Sequence, residues 1–185
     1  MTKAQLTVLA GPSAVGKGTV VAALTKRYPT LNVSVSATTR DPRPGELNGV
    51  HYYFVSAQEF DAMIERGDML EWALVHGNNK YGTPRGPVDE ALAAGKPVLL
   101  EIDLAGARQV RTNRPDAQFI FLAPPSWEEL ERRLIGRGTE GPEEQARRLA
   151  TARVELEAAS EFDHIVINDD VERAVDELAR LIGLE

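Results

Sequence analysis

Cysteine is absent from this chain of 185 residues. Its absence excludes disulfide bonds, thiolate nucleophiles and the common cysteine-containing zinc sites, so nothing in the sequence requires an oxidising compartment and the cytoplasm is the expected location. Long apolar runs are also missing. The run near the start, residues 6–10, is far too short to cross a bilayer, so the sequence predicts neither a signal peptide nor a membrane span.

The chain has fewer basic than acidic residues: 21 Lys and Arg and 28 Asp and Glu give a net charge of −7. This balance argues against binding to nucleic acid or to an anionic membrane, and it gives no sign of an obligate protein partner. An anionic ligand would have to meet a local cluster of cations. The three histidines lack the spacing of a metal site, so no histidine ligand or general base is expected.

Apolar runs and helical periodicities alternate along the chain, which is typical of an α/β fold with a parallel sheet. The predicted strands lie at 5–10, 32–36, 51–55, 69–76, 98–102, 118–122 and 164–167. The predicted helices lie at 17–27, 56–67, 87–94, 105–111, 126–135, 143–160 and 171–182, with capping boxes at Ser56 and Ser126. Residues 77–86 are predicted to form a loop. The pattern indicates one domain, with a core at 1–32, 85–135 and 150–185 and an inserted module at 33–84.

The sequence GPSAVGK at residues 11–17 matches the GxxxxGK phosphate loop and follows a predicted strand. Inward-facing backbone amides, the start of a helix and Lys17 would together hold nucleotide phosphates. The expected contacts come from the loop and the two residues after it: Gly11, Pro12, Ser13, Ala14, Val15, Gly16, Lys17, Gly18 and Thr19. Gly18 occupies the position of the usual magnesium-binding hydroxyl, so Thr19 is the nearest candidate ligand and Mg²⁺ would depend more on phosphate and water.

Phosphate loops occur in both GTPases and kinases, so a second motif has to decide between them. Asp103 and Gly106 fit the DxxG motif of GTPases, and residues 79–80 begin an NKxD motif. Position 82 is glycine, however, and this fragment precedes the DxxG instead of following it. The GTPase interpretation therefore lacks its base-reading carboxylate.

The segment SVSATTRDPRPGE at 34–46 resembles the signature of guanylate kinase, the nucleoside monophosphate kinase that accepts GMP. The likeness continues through residues 49–54, LEW at 70–72, YGT at 81–83, EID at 101–103, RLIGRGTE at 133–140 and VIND at 166–169. It implies a P-loop core of three layers with a parallel sheet, a GMP-binding module at 33–84 and a mobile lid at 136–149. It also implies transfer of the γ-phosphoryl group of ATP to GMP and dGMP, with Mg²⁺.

The resemblance assigns residues to both nucleotides. The implied GMP-binding residues are Ser36, Arg40, Arg43, Tyr52, Glu71, Tyr81, Thr83 and Asp103. Arginine forks suit a phosphate dianion, and Glu71 would accept from guanine N1 and N2, whereas adenine would present a lone pair to the carboxylate. Asn168 corresponds to a residue near the donor adenine, and Arg133 and Arg137 would also contact ATP. The implied catalytic residues are Lys17, Arg40, Arg133, Arg137 and Arg148.

Two alternatives stay open on the sequence. The chain could phosphorylate AMP, UMP or a deoxynucleotide, or it could be an interaction module that keeps the fold, binds proteins and has lost catalysis. Lys17 and the lid arginines favour the enzyme. Trp72 and Trp127 are expected to pack in the core or against helices and to carry no chemistry.

Overall fold

The computed structural model describes residues 3–75, 77–136, 138 and 140–185. Within these ranges the strands are β1 (Leu6–Ala10), β2 (Asn32–Val33), β3 (Ala37–Thr38), β4 (Tyr53–Phe54), β5 (Met69–Val75), β6 (Asn79–Pro84), β7 (Val98–Glu101), β8 (Gln118–Ala123) and β9 (His164–Ile167). The α-helices are α1 (Lys17–Arg27), α2 (Ala57–Glu65), α3 (Arg85–Ala93), α4 (Leu104–Asn113), α5 (Trp127–Ile135), α6 (Pro142–Glu157) and α7 (Val171–Ile182). No helix in this part of the chain is both long and apolar enough to cross a membrane.

The central sheet has the order β2-β7-β1-β8-β9, and all its strand pairs are parallel. A parallel sheet is covered on both faces, which is why β1 consists of five buried residues. Leu9 and Ile120 pack with α1 and α7 on one face. Val8 and Phe119 pack with α3 and α4 on the other. The predicted three-layer α/β core is confirmed.

Several helix starts follow from local chemistry. The Ser56 side chain accepts from the Glu59 backbone N–H at 3.0 Å, and Ser126 accepts from the Glu129 N–H at 3.1 Å. Each serine thereby satisfies an amide that the helix itself leaves free. The two predicted N-caps are confirmed, and the bounds predicted for the helices at 17–27 and 171–182 agree with α1 and α7.

A second sheet, with the order β4-β3-β6-β5, is formed by residues between 37 and 84. The prediction of a loop across 77–86 is wrong for most of that segment, because β6 pairs antiparallel with β5 from Val75–Asn79 to Met69–Pro84. Gly, Asn and Pro have low strand propensity, but pairing with the apolar β5 outweighs it. α3 then begins at Arg85, two residues earlier than predicted.

Two other predicted bounds are corrected. The strand predicted at 32–36 has only its first two residues in the central sheet, and the chain then crosses to the second sheet at β3. The helix predicted to run to residue 160 ends at Glu157, where a 3-10 turn, Ala158–Glu161, continues the chain. The start of α6 at Pro142 suits proline, whose missing N–H is not needed in the first helical turn.

Helix α4 joins the two sheets. The Gln109 side chain exchanges two hydrogen bonds with the backbone of Trp72, at 3.0 and 2.9 Å, and Asn113 donates to the Leu70 carbonyl at 2.8 Å. β5 is the edge strand of its sheet, so these side chains satisfy backbone groups that a neighbouring strand would otherwise pair. These contacts place the second sheet beside the carboxyl end of β7, from which α4 starts.

Candidate active site

The phosphate loop lies between β1 and α1, at the carboxyl edge of the central sheet. Gly16 has φ +97°, a conformation that glycine adopts without steric cost. The Val15 carbonyl before it accepts from Asn168 Nδ2 at 2.9 Å and from an Arg133 guanidinium nitrogen at 3.1 Å. Because the two polar groups of a trans peptide point in opposite directions, this arrangement turns the Gly16 N–H away from Asn168 and Arg133.

Ala14 also has a positive φ, +66°. The left-handed conformation costs about 1 kcal/mol for a residue with a side chain. Glycine would be the less strained residue at this position. Two left-handed residues so close together curl the loop and expose consecutive amides, which is the geometry of an anion-binding nest.

The Lys17 ammonium group lies at the mouth of this loop. Its Nζ donates to the carbonyls of Gly11 and Ile102, each at 3.3 Å. Burial lowers the pKa of Lys17, while the charges of Glu101, Glu155 and Asp103 oppose that shift. These groups line a cavity of about 450 Å³ together with the loop itself. The cavity thus contains a cation and backbone donors on one side and carboxylates on the other.

The residues that follow Lys17 determine which side chains are available to bind Mg²⁺. Thr19 is exposed in the first turn of α1. A Cβ at Gly18 would lie 3.9 Å from Glu101 Oε1, so that carboxylate borders the position where a hydroxyl side chain would stand. Across 3–75, 77–136, 138 and 140–185 no group of three or more His, Asp or Glu side chains is arranged to hold a metal ion. Hard oxygen ligands are nevertheless available beside the loop, which suits Mg²⁺ that arrives with phosphates.

Arg40 lies in the loop after β3 and is held from two sides. Its guanidinium forms a two-pronged ion pair with Glu46, at 2.8 and 3.0 Å, and lies 5.2 Å from the centre of the Tyr52 ring. Glu46 also accepts from the Arg43 backbone N–H at 2.7 Å, and these donors lower the pKa of Glu46 to about 2. The Tyr52 and Tyr81 rings are 5.9 Å apart. Arg40 and both tyrosines are therefore one cluster.

Arg43 and Ser36 are less tightly organised than this cluster. Arg43 is exposed, and the contact to Glu46 comes from its backbone. Ser36 is half-buried just before β3, and its carbonyl accepts from the Tyr53 N–H at 2.9 Å. Both residues belong to the same segment, 34–46, as Arg40.

Glu71 and Thr83 face each other across β5 and β6. The Thr83 hydroxyl donates to Glu71 Oε1 at 2.8 Å. Both residues are buried: Thr83 is 1% exposed and Glu71 is 9% exposed. Burial raises the pKa of Glu71, the Thr83 hydrogen bond lowers it, and the nearby Asp103 charge raises it further. The sheet thus presents an acceptor in a largely dry pocket, which favours selection between hydrogen-bonding partners.

Asp103 connects this pocket with the phosphate loop. Its Oδ1 accepts from the Gly106 N–H at 2.8 Å and caps α4, so the DxxG spacing is a helix N-cap here. A Cβ at Gly106 would lie 3.1 Å from both Asp103 Oδ1 and Glu71 Oε2, which places the two carboxylates against the same glycine. Asp103 also lines the cavity above Lys17.

The arginines predicted for the lid lie on the other side of the phosphate loop. Arg133 pairs with Glu129 at 3.1 Å, and Arg148 binds both oxygens of Glu140 at 2.9 Å. Both arginines line a cavity of about 550 Å³ together with the loop, where Arg133 also contacts the Val15 carbonyl; the lining includes Ser13, Ala14, Gly16, Arg132, Arg133 and Arg148. Arg137 lies outside the described residues, so its predicted role is not placed.

A guanylate kinase family profile matches residues 3–185. This chain belongs to the guanylate kinase family. A guanylate kinase of Thermobifida fusca is 62% identical over 179 residues, covering 97% of this chain and 91% of the relative. The guanylate kinase of Nocardia farcinica is 60% identical over 180 residues, covering 97% and 93%.

Solved structures agree with this assignment. A crystal structure of guanylate kinase from Anaplasma phagocytophilum matches with a TM-score of 0.74 and 32% identity, covering 99% of this chain and 86% of that one. A shikimate kinase from Bacteroides thetaiotaomicron, with a TM-score of 0.50 and 16% identity, shares the fold alone. The family assignment decides between the alternatives that the sequence left open and identifies the chain as a nucleoside monophosphate kinase.

Three residues of this candidate site were not singled out from the sequence. Glu46 orients Arg40, Gln109 fixes β5 through Trp72, and Glu155 reaches the phosphate-loop cavity from α6. Glu46 follows Arg43 by three residues in the segment that also contains Arg40, so its contact with Arg40 could have been suspected from the sequence. Gln109 and Glu155 are far from their partners in sequence, and only the packing of α4 and α6 reveals them.

Proposed function

We propose that this guanylate kinase, which transfers the γ-phosphoryl group of ATP to GMP to give ADP and GDP, binds both nucleotides at the residues described above and accepts dGMP as well. The observation that carries this proposal is the double contact of Asp103, which borders the phosphate-loop cavity and lies against the same glycine as Glu71. A nucleotide held at Glu71 would therefore lie next to phosphates held at Lys17. Direct transfer requires that proximity.

The Glu71 carboxylate is proposed to accept from guanine N1–H and from the exocyclic amino group, with Thr83 and Asp103 nearby. The pocket is buried, so a base that leaves the carboxylate unpaired pays a large desolvation cost. Adenine has a lone pair at N1 and would do so. Sites of this kind discriminate by several powers of ten.

The GMP phosphate is proposed to bind Arg40, Arg43, Tyr52 and Tyr81, with Ser36 near the guanine base. Two N–H groups of Arg40 donate to Glu46. A guanidinium has five N–H groups, so other N–H groups of Arg40 can donate to the phosphate. The ion pair fixes the plane of the fork before the ligand arrives. Pre-orientation of this type reduces the entropy lost on binding.

The donor phosphates are proposed to bind the loop of residues 11–19, with Lys17, Arg133, Arg137 and Arg148 stabilising the charge of the transferring group. Phosphoryl transfer depends on position and charge more than on a strong base. The acceptor is already an anion, so the reaction needs no histidine. Asn168 supports this proposal as a donor-site residue through its hydrogen bond to Val15.

Mg²⁺ is proposed to enter with ATP. Glu101 and Asp103 offer hard oxygen atoms to its hydration shell beside Lys17, and Thr19 is the nearest hydroxyl after the loop. The ion would neutralise charge between adjacent phosphates. Residues 33–84 are proposed to move as the GMP-binding module and residues 136–149 as the lid, and the cytoplasm stays the predicted location.

The decisive test is a coupled ADP-release assay with ATP and Mg²⁺, run with GMP, dGMP, AMP, CMP and UMP in turn. Turnover is expected with GMP and dGMP alone. Lys17→Ala is expected to reduce kcat by at least about 100-fold, since it removes a charge from the transferring group. Glu71→Ala is expected to raise KM for GMP by about tenfold or more, since the pocket loses its acceptor.

Matched controls separate these roles from general effects of charge. Lys26→Ala changes an exposed lysine of α1, and Glu65→Ala changes an exposed glutamate of α2; both are expected to keep the wild-type rates. Turnover with AMP at the rate for GMP would refute the role of Glu71. If no monophosphate is phosphorylated, the proposed binding of both nucleotides at these residues is wrong.

A further inference from the structure

Glu155 is a charged residue of α6 that faces a cavity. It lies in the last turn of α6, is partly buried, and lines the cavity of about 450 Å³ above the phosphate loop, together with Ser13 and Lys17. A site built for phosphates would be expected to be lined by donors. An anion from another helix is therefore a feature that phosphate binding alone does not explain.

The partners of Glu155 are those that a phosphate oxygen would use. Ser13 and Lys17 line the same cavity as Glu155, and the Ser13 backbone and the Lys17 charge both favour the ionised form of its carboxylate. Burial raises the pKa of Glu155, whereas the Ser13 hydrogen bond and Lys17 lower it. Ser13 is the second residue of the loop after Gly11, so its amide is one of the donors that the GxxxxGK motif provides.

The same helix carries the lid arginine. Arg148 and Glu155 are seven residues apart, which is close to two turns, so both project from nearly the same face of α6. Arg148 lines the cavity of about 550 Å³, and Ser13 lines both cavities. α6 therefore presents a cation and an anion to one loop. A ligand that displaces the Glu155 carboxylate therefore acts on α6, the helix that positions the Arg148 guanidinium.

We propose that Glu155 is a positioning residue that faces the phosphate-loop cavity from α6, opposes the entry of the ATP phosphates by its charge, and moves away from the loop when they bind. This inference rests on the proposed function only in assigning ATP to the loop. Two anions cannot lie side by side in the cavity that Ser13 and Lys17 line at low cost, so binding of ATP and the position of Glu155 oppose each other. ATP binding releases the carboxyl-terminal end of α6, and the release permits Arg148 to reorient.

The test compares Glu155→Gln with the wild type by calorimetric titration of ATP in EDTA, of Mg·ATP and of inorganic tripolyphosphate, at low and at moderate salt. Glutamine keeps the shape of the side chain and removes its charge. The variant is expected to bind metal-free ATP and tripolyphosphate roughly 3- to 10-fold more tightly, because the competing anion has gone. The gain is expected to shrink as salt screens the repulsion.

A matched control is Glu157→Gln, which removes the same charge from an exposed position two residues further along α6. It is expected to change ATP affinity by less than twofold. Glu155→Ala is expected to change affinity in the same direction as Glu155→Gln, and thermal unfolding of each variant verifies that it is folded. In steady-state assays the expected signature is a lower KM for ATP with the wild-type KM for GMP, which a general packing defect would not produce.

Three results would overturn the inference. The first is an unchanged ATP affinity in Glu155→Gln. The second is a lower affinity in that variant, as expected if the carboxylate organised the loop or held Mg²⁺ through water. The third is an equal gain of ATP affinity in Glu157→Gln. Failure of the proposed function is recognised separately, because the wild-type protein would then show no turnover with GMP, whatever the ATP affinity of the variants.

Discussion

Arg40 is paired with Glu46, and the geometry of that pair sets how the guanidinium is offered to a phosphate. Glu46→Gln is expected to raise KM for GMP by about tenfold with a smaller change in kcat, because the fork loses its charged partner and its fixed plane. Initial rates at varied GMP concentration measure this. Glu65→Gln, at an exposed position of α2, is the control. An unchanged KM in Glu46→Gln would show that Arg40 needs no partner.

Glu71 carries a cost in stability that depends on pH. Its pKa is raised in the folded chain above the ordinary value of 4.5, so folding is favoured at pH below 4.5, where the carboxyl is protonated in both states. That contribution is lost as pH rises through the raised pKa. Glu71→Gln is therefore expected to match the wild type near pH 4 and to have the larger free energy of unfolding at pH 7.5.

Denaturant unfolding of both proteins at several pH values between these limits measures that difference. A gap that stays constant with pH would show that Glu71 does not titrate differently in the folded chain. The stability of Glu71→Gln should come with weaker GMP binding, since the same ionised carboxylate is proposed to accept from guanine. Stability and selectivity are opposed at this one residue.

At the scale of elements, the β5–β6 hairpin leaves no room for a side chain at Gly82. A Cβ there would lie 2.6 Å from the Glu71 carbonyl oxygen and 2.9 Å from the Trp72 Cβ. Gly82→Ala is expected to lower the free energy of unfolding by about 1–3 kcal/mol and to raise KM for GMP, because β5 and β6 must separate at Glu71 and Thr83. Chemical denaturation and steady-state rates measure the two effects.

Gly86→Ala is the matched control for this substitution. A Cβ at Gly86 meets no atom within 4 Å, and the residue lies in the first turn of α3, where alanine is the better helix former. It is expected to leave stability unchanged or slightly increased. Equal losses in the two variants would show that the hairpin contact is not responsible.

The elements that could be predicted from sequence are those whose pattern is local. β9 and α7 carry their apolar spacing and, in α7, an Asp170 cap within a few residues, so their predicted bounds agree with the structure. β6 could not be predicted, because its strand character comes from pairing with β5 and not from Asn79 or Gly82 themselves. For the candidate site, the loop of residues 11–17 was visible as a motif, whereas the contacts of Asp103 with two pockets depend on where α4 packs.

At the scale of the whole molecule, the second sheet approaches the phosphate-loop cavity at Glu71, and the α5–α6 pair lines cavities beside the same loop. If both close on their nucleotides, water is excluded from the transferring group, which prevents hydrolysis of ATP. Small-angle X-ray scattering is expected to give a smaller radius of gyration with GMP and a non-hydrolysable ATP analogue together than with either one. A radius that is the same in all states would argue against closure.

The two tryptophans of the chain lie in these two separate regions. Trp72 packs in the second sheet with the Lys80 ammonium 5.7 Å from its ring, and the Arg153 guanidinium of α6 lies 3.9 Å from the ring of Trp127 in α5. A nearby cation alters the emission of an indole. Single Trp→Phe variants therefore leave one intrinsic fluorophore per region, and stopped-flow fluorescence can establish in unlabelled protein which nucleotide sets which region in motion first.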